Sequence, residues 1–158
     1  MKKISLLLLV LFSYNCEDDL SDNIPAFQAI VNGNNHWVAD DFNATIQNNQ
    51  LYVNGISPFG SISIVVNTNE ANQYDFSSSS QNLAVFQDTL QYSTQNDGIN
   101  SIAYLSEGFL DIQDFDNINS TISGNFHFDA YNGTGEFTVN ISEGVFYKIP
   151  LNYSVDQD

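Results

Sequence analysis

From residue 26 onward, apolar and polar positions alternate with a period of two along much of the chain. Phe27, Ala29 and Val31 share one side of a segment that ends in the turn pair Asn32-Gly33, and Trp37-Val38 begins the return. Ala44-Thr45-Ile46 and Leu51-Tyr52-Val53 flank a second turn pair, Asn48-Asn49. Ile62, Ile64 and Val66 alternate with Ser61, Ser63 and Asn67, with Val65 interrupting the polar side. The longest alternation covers Ile122 to Ala130, where even positions are apolar or Gly and odd positions are polar. Asn132-Gly133 then predicts a turn into Phe137, Val139 and Ile141. A period of two marks a half-buried strand.

Weaker strand patterns lie at Leu83–Gln87, Thr89–Ser93, Ile99–Leu105 and around Leu110 and Ile112. Ser77–Ser80 reads as a loop, and Gln95–Gly98 and Asp114–Asn117 read as turns. Helical periodicity is missing outside the N-terminus. Short strands punctuated by Asn, Asp and Gly predict an all-β fold. The expected architecture is a single antiparallel β-sandwich or partly open barrel of largely meander topology. Phe126, Phe128, Phe137, Val139 and Ile141 are expected on one core face.

The N-terminus breaks this pattern. Lys2-Lys3 precedes an apolar run from Ile4 to Phe12, interrupted only by Ser5, and Cys16 follows as the sole cysteine. The run has the form of a secretory signal and is shorter than the ~20 apolar residues that span a bilayer. Ser13-Tyr14-Asn15-Cys16 resembles the lipobox of bacterial lipoproteins, in a relaxed form similar to that of Bacteroidota. The resemblance implies cleavage before Cys16 and acylation of its thiol, palmitate included. Glu17-Asp18-Asp19 resembles the export signal that takes such lipoproteins to the outer face of the outer membrane. The expected organisation is a signal peptide over 1–15, an acylated cysteine with a flexible acidic linker over 16–25, and an all-β domain over 26–155.

Composition narrows the partners. The chain carries 12 Phe and 8 Tyr, enough to build a core. Lys148 is the only Lys or Arg after the signal, against 19 Asp and Glu. Such a surface repels phosphate backbones, which argues against nucleic acid as a partner. It suits divalent cations or a basic partner, and above all solubility outside the cell.

Three stretches carry a further resemblance: Phe27–Gly33 with Trp37, Ile122–Ala130, and Ile141–Phe146. Together they resemble a family of small Bacteroidota lipoproteins classed as a domain of unknown function, over about Ala26 to Pro150. The resemblance implies an all-β lipoprotein domain and supplies no catalytic residues. It makes Phe146 inward, whereas Phe137, Val139 and Ile141 are inward at odd positions. A one-residue slip is therefore expected near Glu143-Gly144, because the side-chain period is two. His127 departs from the small polar residues usual in this strand.

The candidates for chemistry are few. Asp111, Asp114 and Asp116, with Asn117 and Asn119, form the densest oxygen cluster, but they lack the spacing of an EF-hand. They are weak calcium candidates, the alternative being an acidic hairpin turn. His36 and His127 are the only histidines, and a zinc site would need both plus a carboxylate. No nucleophile elbow or phosphate-binding glycine motif is present, and nothing selects a carboxylate pair. Neither a cofactor nor catalytic residues are expected. Trp37, Tyr52, Tyr74, Tyr92, Tyr104 and Tyr131 could offer sugar or peptide contacts if exposed. Asp88-Thr89-Leu90 resembles the short O-glycosylation motif of exported Bacteroidota proteins, with Thr89 as the acceptor.

The expected function is a surface-anchored, non-catalytic binding or structural module. It is held at the membrane by its lipid and has an unidentified protein or glycan ligand. The alternatives are a small lipoprotein hydrolase and a calcium-dependent adhesion module.

Overall fold

The computed structural model describes residues 26–68, 70–99 and 104–154, and among them every regular element is a β-strand. Eleven strands form in chain order: β1 Phe27–Val31, β2 Asn35–Val38, β3 Asp41–Gln47, β4 Gln50–Ser57, β5 Gly60–Val66, β6 Gln73–Ser77, β7 Leu83–Gln87, β8 Gln91–Ser93, β9 Glu107–Asp116, β10 Thr121–Asn132 and β11 Thr138–Tyr153. The signal, Cys16 and the acidic cluster Glu17-Asp18-Asp19 lie outside the described residues.

The strands form one continuous sheet that closes on itself. Its order is β2-β1-β11-β3-β4-β5-β7-β8-β10-β9-β6, with a further pairing between β11 and β10. Seven strands thus complete a ring, and the β1–β2 and β6–β9 pairs extend from it as open flaps. Two long strands make the closure. β10 pairs with β9 along most of its length and reaches β8 through Tyr131↔Ser93. β11 pairs with β1 and then reaches β3 through Leu151↔Ala44. The β11–β3 pairing is parallel, so the sheet is mixed rather than purely antiparallel. The meander is also broken at three places: β2 does not pair with β3, β6 leaves its sequence neighbours to pair with β9, and β8 pairs with β10 instead of β9.

Bulges let β10 and β11 serve both sides of the ring. Against β1, β11 carries an extra residue where Ala29 faces Glu143 and Gly144; against β10 the register slips opposite His127. The slip expected near Glu143-Gly144 is present, but Glu143 holds the left-handed backbone at φ 50°, not Gly144. A second slip lies opposite Ser123, where Lys148 has φ 49° and its N–H donates to Ser123 Oγ at 2.9 Å. Burial accordingly moves from Val139 and Ile141 to Gly144 and Phe146, then back to Ile149 and Leu151. Each bulge inverts the inward parity of the residues beyond it.

The core is aromatic at its centre. Phe27 meets Trp37, Phe126 and Phe146 edge-on at centroid distances of 5.3, 5.6 and 6.1 Å. Such edge contacts add to the area the rings bury. Gly144 is needed here for space, since a Cβ on it would stand 2.5 Å from the Phe126 ring. Gly55 does the same for Trp37 and Phe27, where the nearest approach would be 2.7 Å.

Phe126, Phe128, Val139 and Ile141 are buried on one face as expected, but Phe137 is 56% exposed and lies outside the strand. The Asn132 side chain explains this departure. Its Oδ1 accepts the N–H groups of Glu136 and Phe137, which fixes a five-residue turn from Gly133 to Phe137 and delays β11. The turn expected at Asp114–Asn117 also falls later. β9 continues to Asp116, and the chain reverses between Asn117 and Ser120.

Candidate functional site

At one end of the ring three turns converge: β1–β2 at 32–34, β4–β5 at 58–59 and β7–β8 at 88–90. The β4–β5 turn is built by Ser57-Pro58-Phe59-Gly60. Ser57 pairs with Gly60, leaving a two-residue loop. Proline restricts the backbone before the tip. Ser57 Oγ accepts the Phe59 N–H at 3.2 Å. Gly60 takes φ 127°, and a Cβ there would stand 2.6 Å from the Gln87 carbonyl oxygen. The reversal leaves the Phe59 ring 76% exposed at the tip.

A second tie fixes the β1–β2 hairpin across this end. Trp37 is buried, and its Nε1–H donates to the Gly60 carbonyl at 3.0 Å. Asn32 and Gly33 both adopt left-handed backbone, at φ 52° and 75°. Asn32 Oδ1 accepts the Asn140 N–H at 3.0 Å, pinning the turn to β11. On the other side Asp88 Oδ1 accepts the Leu90 N–H at 2.9 Å, and Thr89 Oγ1 donates to it at 3.4 Å. This is the local side-chain cap that an Asp at a turn provides.

Two depressions meet at Phe59. A cleft of about 420 Å³ lies between the β1–β2 turn and Phe59, Phe86 and Asp88, with Asn34, Asn35, His36 and the edge of Trp37 on its wall. A shallower one of about 700 Å³ lies between the β4–β5 and β7–β8 turns and includes Thr89. Tyr92 packs against Phe86, which lines the first cleft, with ring centroids 6.3 Å apart. Burial, and then the Asp88 carboxylate, raise the Tyr92 phenol above its ordinary pKa. Its hydroxyl therefore stays protonated and neutral at physiological pH.

The other sequence candidates are not assembled into a site. Asp116 takes the N–H groups of Ile118 and Asn119 on Oδ1 and the Asn119 amide on Oδ2. The Asn119 backbone bond, followed by its side-chain bond, holds the Asp116 carboxyl below the usual range. Asp111 and Asp114 lie back along β9. His36 is on β2 and His127 on β10, with β1 and β11 between them. Three strand spacings separate them by ~14 Å. His127 packs instead against its cross-strand partner Phe109, centroid to centroid 4.4 Å at 72°. Among the described residues no three His, Cys, Asp or Glu side chains are grouped to hold a metal ion.

Of the aromatic candidates, Trp37 and Tyr131 are buried, Tyr52, Tyr74 and Tyr92 are half-buried, and Tyr104 is exposed. Only Trp37 borders the cleft. Phe59, the ring that defines this end, was not among them.

A family model described as a domain of unknown function (DUF6252) matches residues 23–150, most of the chain. The chain belongs to the DUF6252 family. The matched span takes in all eleven strands except the last residues of β11, so the DUF6252 domain and the closed sheet are one unit. No curated protein and no solved structure matches the chain.

Proposed function

We propose that this DUF6252 protein is a non-catalytic binding module, displayed on a bacterial outer membrane through lipid on Cys16, with the Phe59 end as its contact face. The observation that carries the binding reading is a 76% exposed phenylalanine between two depressions. Exposed aromatic side chains at the centre of a concave surface are the usual anchors of recognition. The membrane reading rests on Lys2-Lys3, the apolar run and the single cysteine at its end, with Glu17-Asp18-Asp19 as the signal for outward display. Two or three acyl chains, at ~0.8 kcal/mol per buried CH₂, would hold the domain firmly. Thr89 is exposed at a hairpin tip, where a glycosyltransferase could reach its hydroxyl.

Placing p-benzoylphenylalanine at position 59 and irradiating whole cells of the native host tests the contact face. Discrete crosslinked products at 59, missing when the same group replaces Tyr153 at the opposite end, support it. Equal crosslinking from both positions, or none from 59, overturns it. Intact-mass analysis of the mature protein tests the modifications. An N-terminus at acylated Cys16, and sugar mass lost in Thr89→Ala, are expected.

A further inference from the structure

The cleft beside Phe59 combines three kinds of group. Phe59 offers an exposed ring face, Asn34, Asn35 and His36 are exposed on the opposite wall, and Asp88 stands at the rim. Carboxamides donate and accept at once, which matches a hydroxyl that must also do both. A ring face matches the flat C–H side of a pyranose and is poorly matched to water. Asp88 already spends Oδ1 on the β7–β8 turn, so it leaves one oxygen to accept from a hydroxyl. The cleft has no Lys or Arg side chain, and Lys148 is the only Lys or Arg after the signal. An acidic sugar or a phosphate would meet the Asp88 carboxylate with no Lys or Arg to offset it. The volume of about 420 Å³ lies within the range of small-molecule sites and admits one or two sugar rings.

Resting on the binding reading above, we infer that the cleft between Phe59 and the β1–β2 turn is a subsite for an uncharged saccharide. One residue stacks on Phe59, and its hydroxyls bond to Asn34, Asn35 and Asp88. The rival occupant is a basic peptide, which would place a cation over Phe59 and against Asp88. It would make little use of the paired amides, and for that reason the saccharide is preferred.

Trp37 is the only tryptophan in the chain and borders this cleft, so its fluorescence reports on occupancy directly. The mature chain is titrated with maltoheptaose, cellopentaose, xylohexaose, mannopentaose and laminarihexaose. Polygalacturonate and hexa-arginine are run beside them. A saturable change in Trp37 emission with at least one neutral oligosaccharide is expected. Phe59→Ala should weaken it at least about tenfold, while Ile118→Ala at the opposite end leaves it unchanged. Asp88→Asn, which keeps the turn acceptor and removes the charge, should weaken it less than Phe59→Ala does. No response to any neutral oligosaccharide overturns the inference. If hexa-arginine alone binds, with strong salt dependence and sensitivity to Phe59→Ala, the saccharide assignment fails and the binding face stands. If neither class responds through Phe59, both fail.

Discussion

Two groups of aromatic side chains, one at the centre of the core and one at an end of the sheet, meet at Trp37 and serve opposite purposes. Phe27, Trp37, Phe126 and Phe146 are fully or nearly fully buried, and glycines at 55, 124 and 144 make room for their rings. Phe59 shares a cleft with Trp37, is fixed by Ser57, Pro58 and Gly60, and faces solvent. The Trp37 Nε1–H bond to the Gly60 carbonyl joins the two groups. An interior ring is explained by stability alone. An exposed ring contributes little to stability, and what sets Phe59 apart from other exposed apolar side chains is its position between two depressions.

Mutations should separate the two groups. Phe126→Ala removes a ring that touches Phe27, Phe128 and Phe146. It should cost about 3–5 kcal/mol in urea denaturation. Gly144→Ala tests the fit from the other direction, because its new methyl would overlap the Phe126 ring. Overpacking of this kind costs about 1–3 kcal/mol, and a neutral result would mean that the ring can move aside. Phe59→Ser should change stability by less than about 0.5 kcal/mol. A loss comparable to that of Phe126→Ala would make Phe59 a core residue and erase the contrast.

The smallest effect belongs to the opposite end of the sheet, at Asp116. Its folded pKa is lowered, so the stabilisation it gives is present above the ordinary carboxylate pKa. That stabilisation is lost as pH falls through the lowered value. The gap in unfolding midpoint between wild type and Asp116→Ala should therefore be open at pH 7 and close on acidification to pH 2. A gap that persists at pH 2 would remove the turn-capping role from the carboxylate.

The difference between the two groups also sets what could be read from sequence. Strands β3, β4, β5 and β7 pair without a register shift, and the alternation of Ile62, Ile64 and Val66 carries straight into burial. The β9–β10–β11 side was only partly legible. A parity conflict between Ile141 and Phe146 exposed one bulge, but the second sits at Lys148, a residue type that gives no hint of left-handed backbone. Strand β6 was missed because Tyr74 and Phe76 are its only apolar positions, too short an alternation to stand out beside the serine run that follows. Phe137 was misplaced because Asn132 captures the turn's N–H groups through its side chain, which periodicity does not register.

Phe59 was hidden for a similar reason. Leu51, Val53, Gly55 and Ser57 are buried at odd positions, and Phe59 extends that parity toward the interior. Recognition of Ser-Pro-Phe-Gly as a two-residue hairpin loop would have turned it outward. The acidic cluster around Asp116 was legible as a turn because Asp and Asn bond their own backbone. Its exact position was not, because β9 runs further than its apolar pattern.

The central claim is that recognition takes place at the Phe59 end. A ¹H–¹⁵N spectrum of the mature domain, recorded as the oligosaccharide panel is added, tests it most directly. The account predicts shifts confined to the Trp37 indole and to backbone amides at 32–34, 59–60 and 88–90. Shifts centred instead on the β9–β10 turn at 117–120, or on the exposed Tyr104-Leu105 surface, would contradict it.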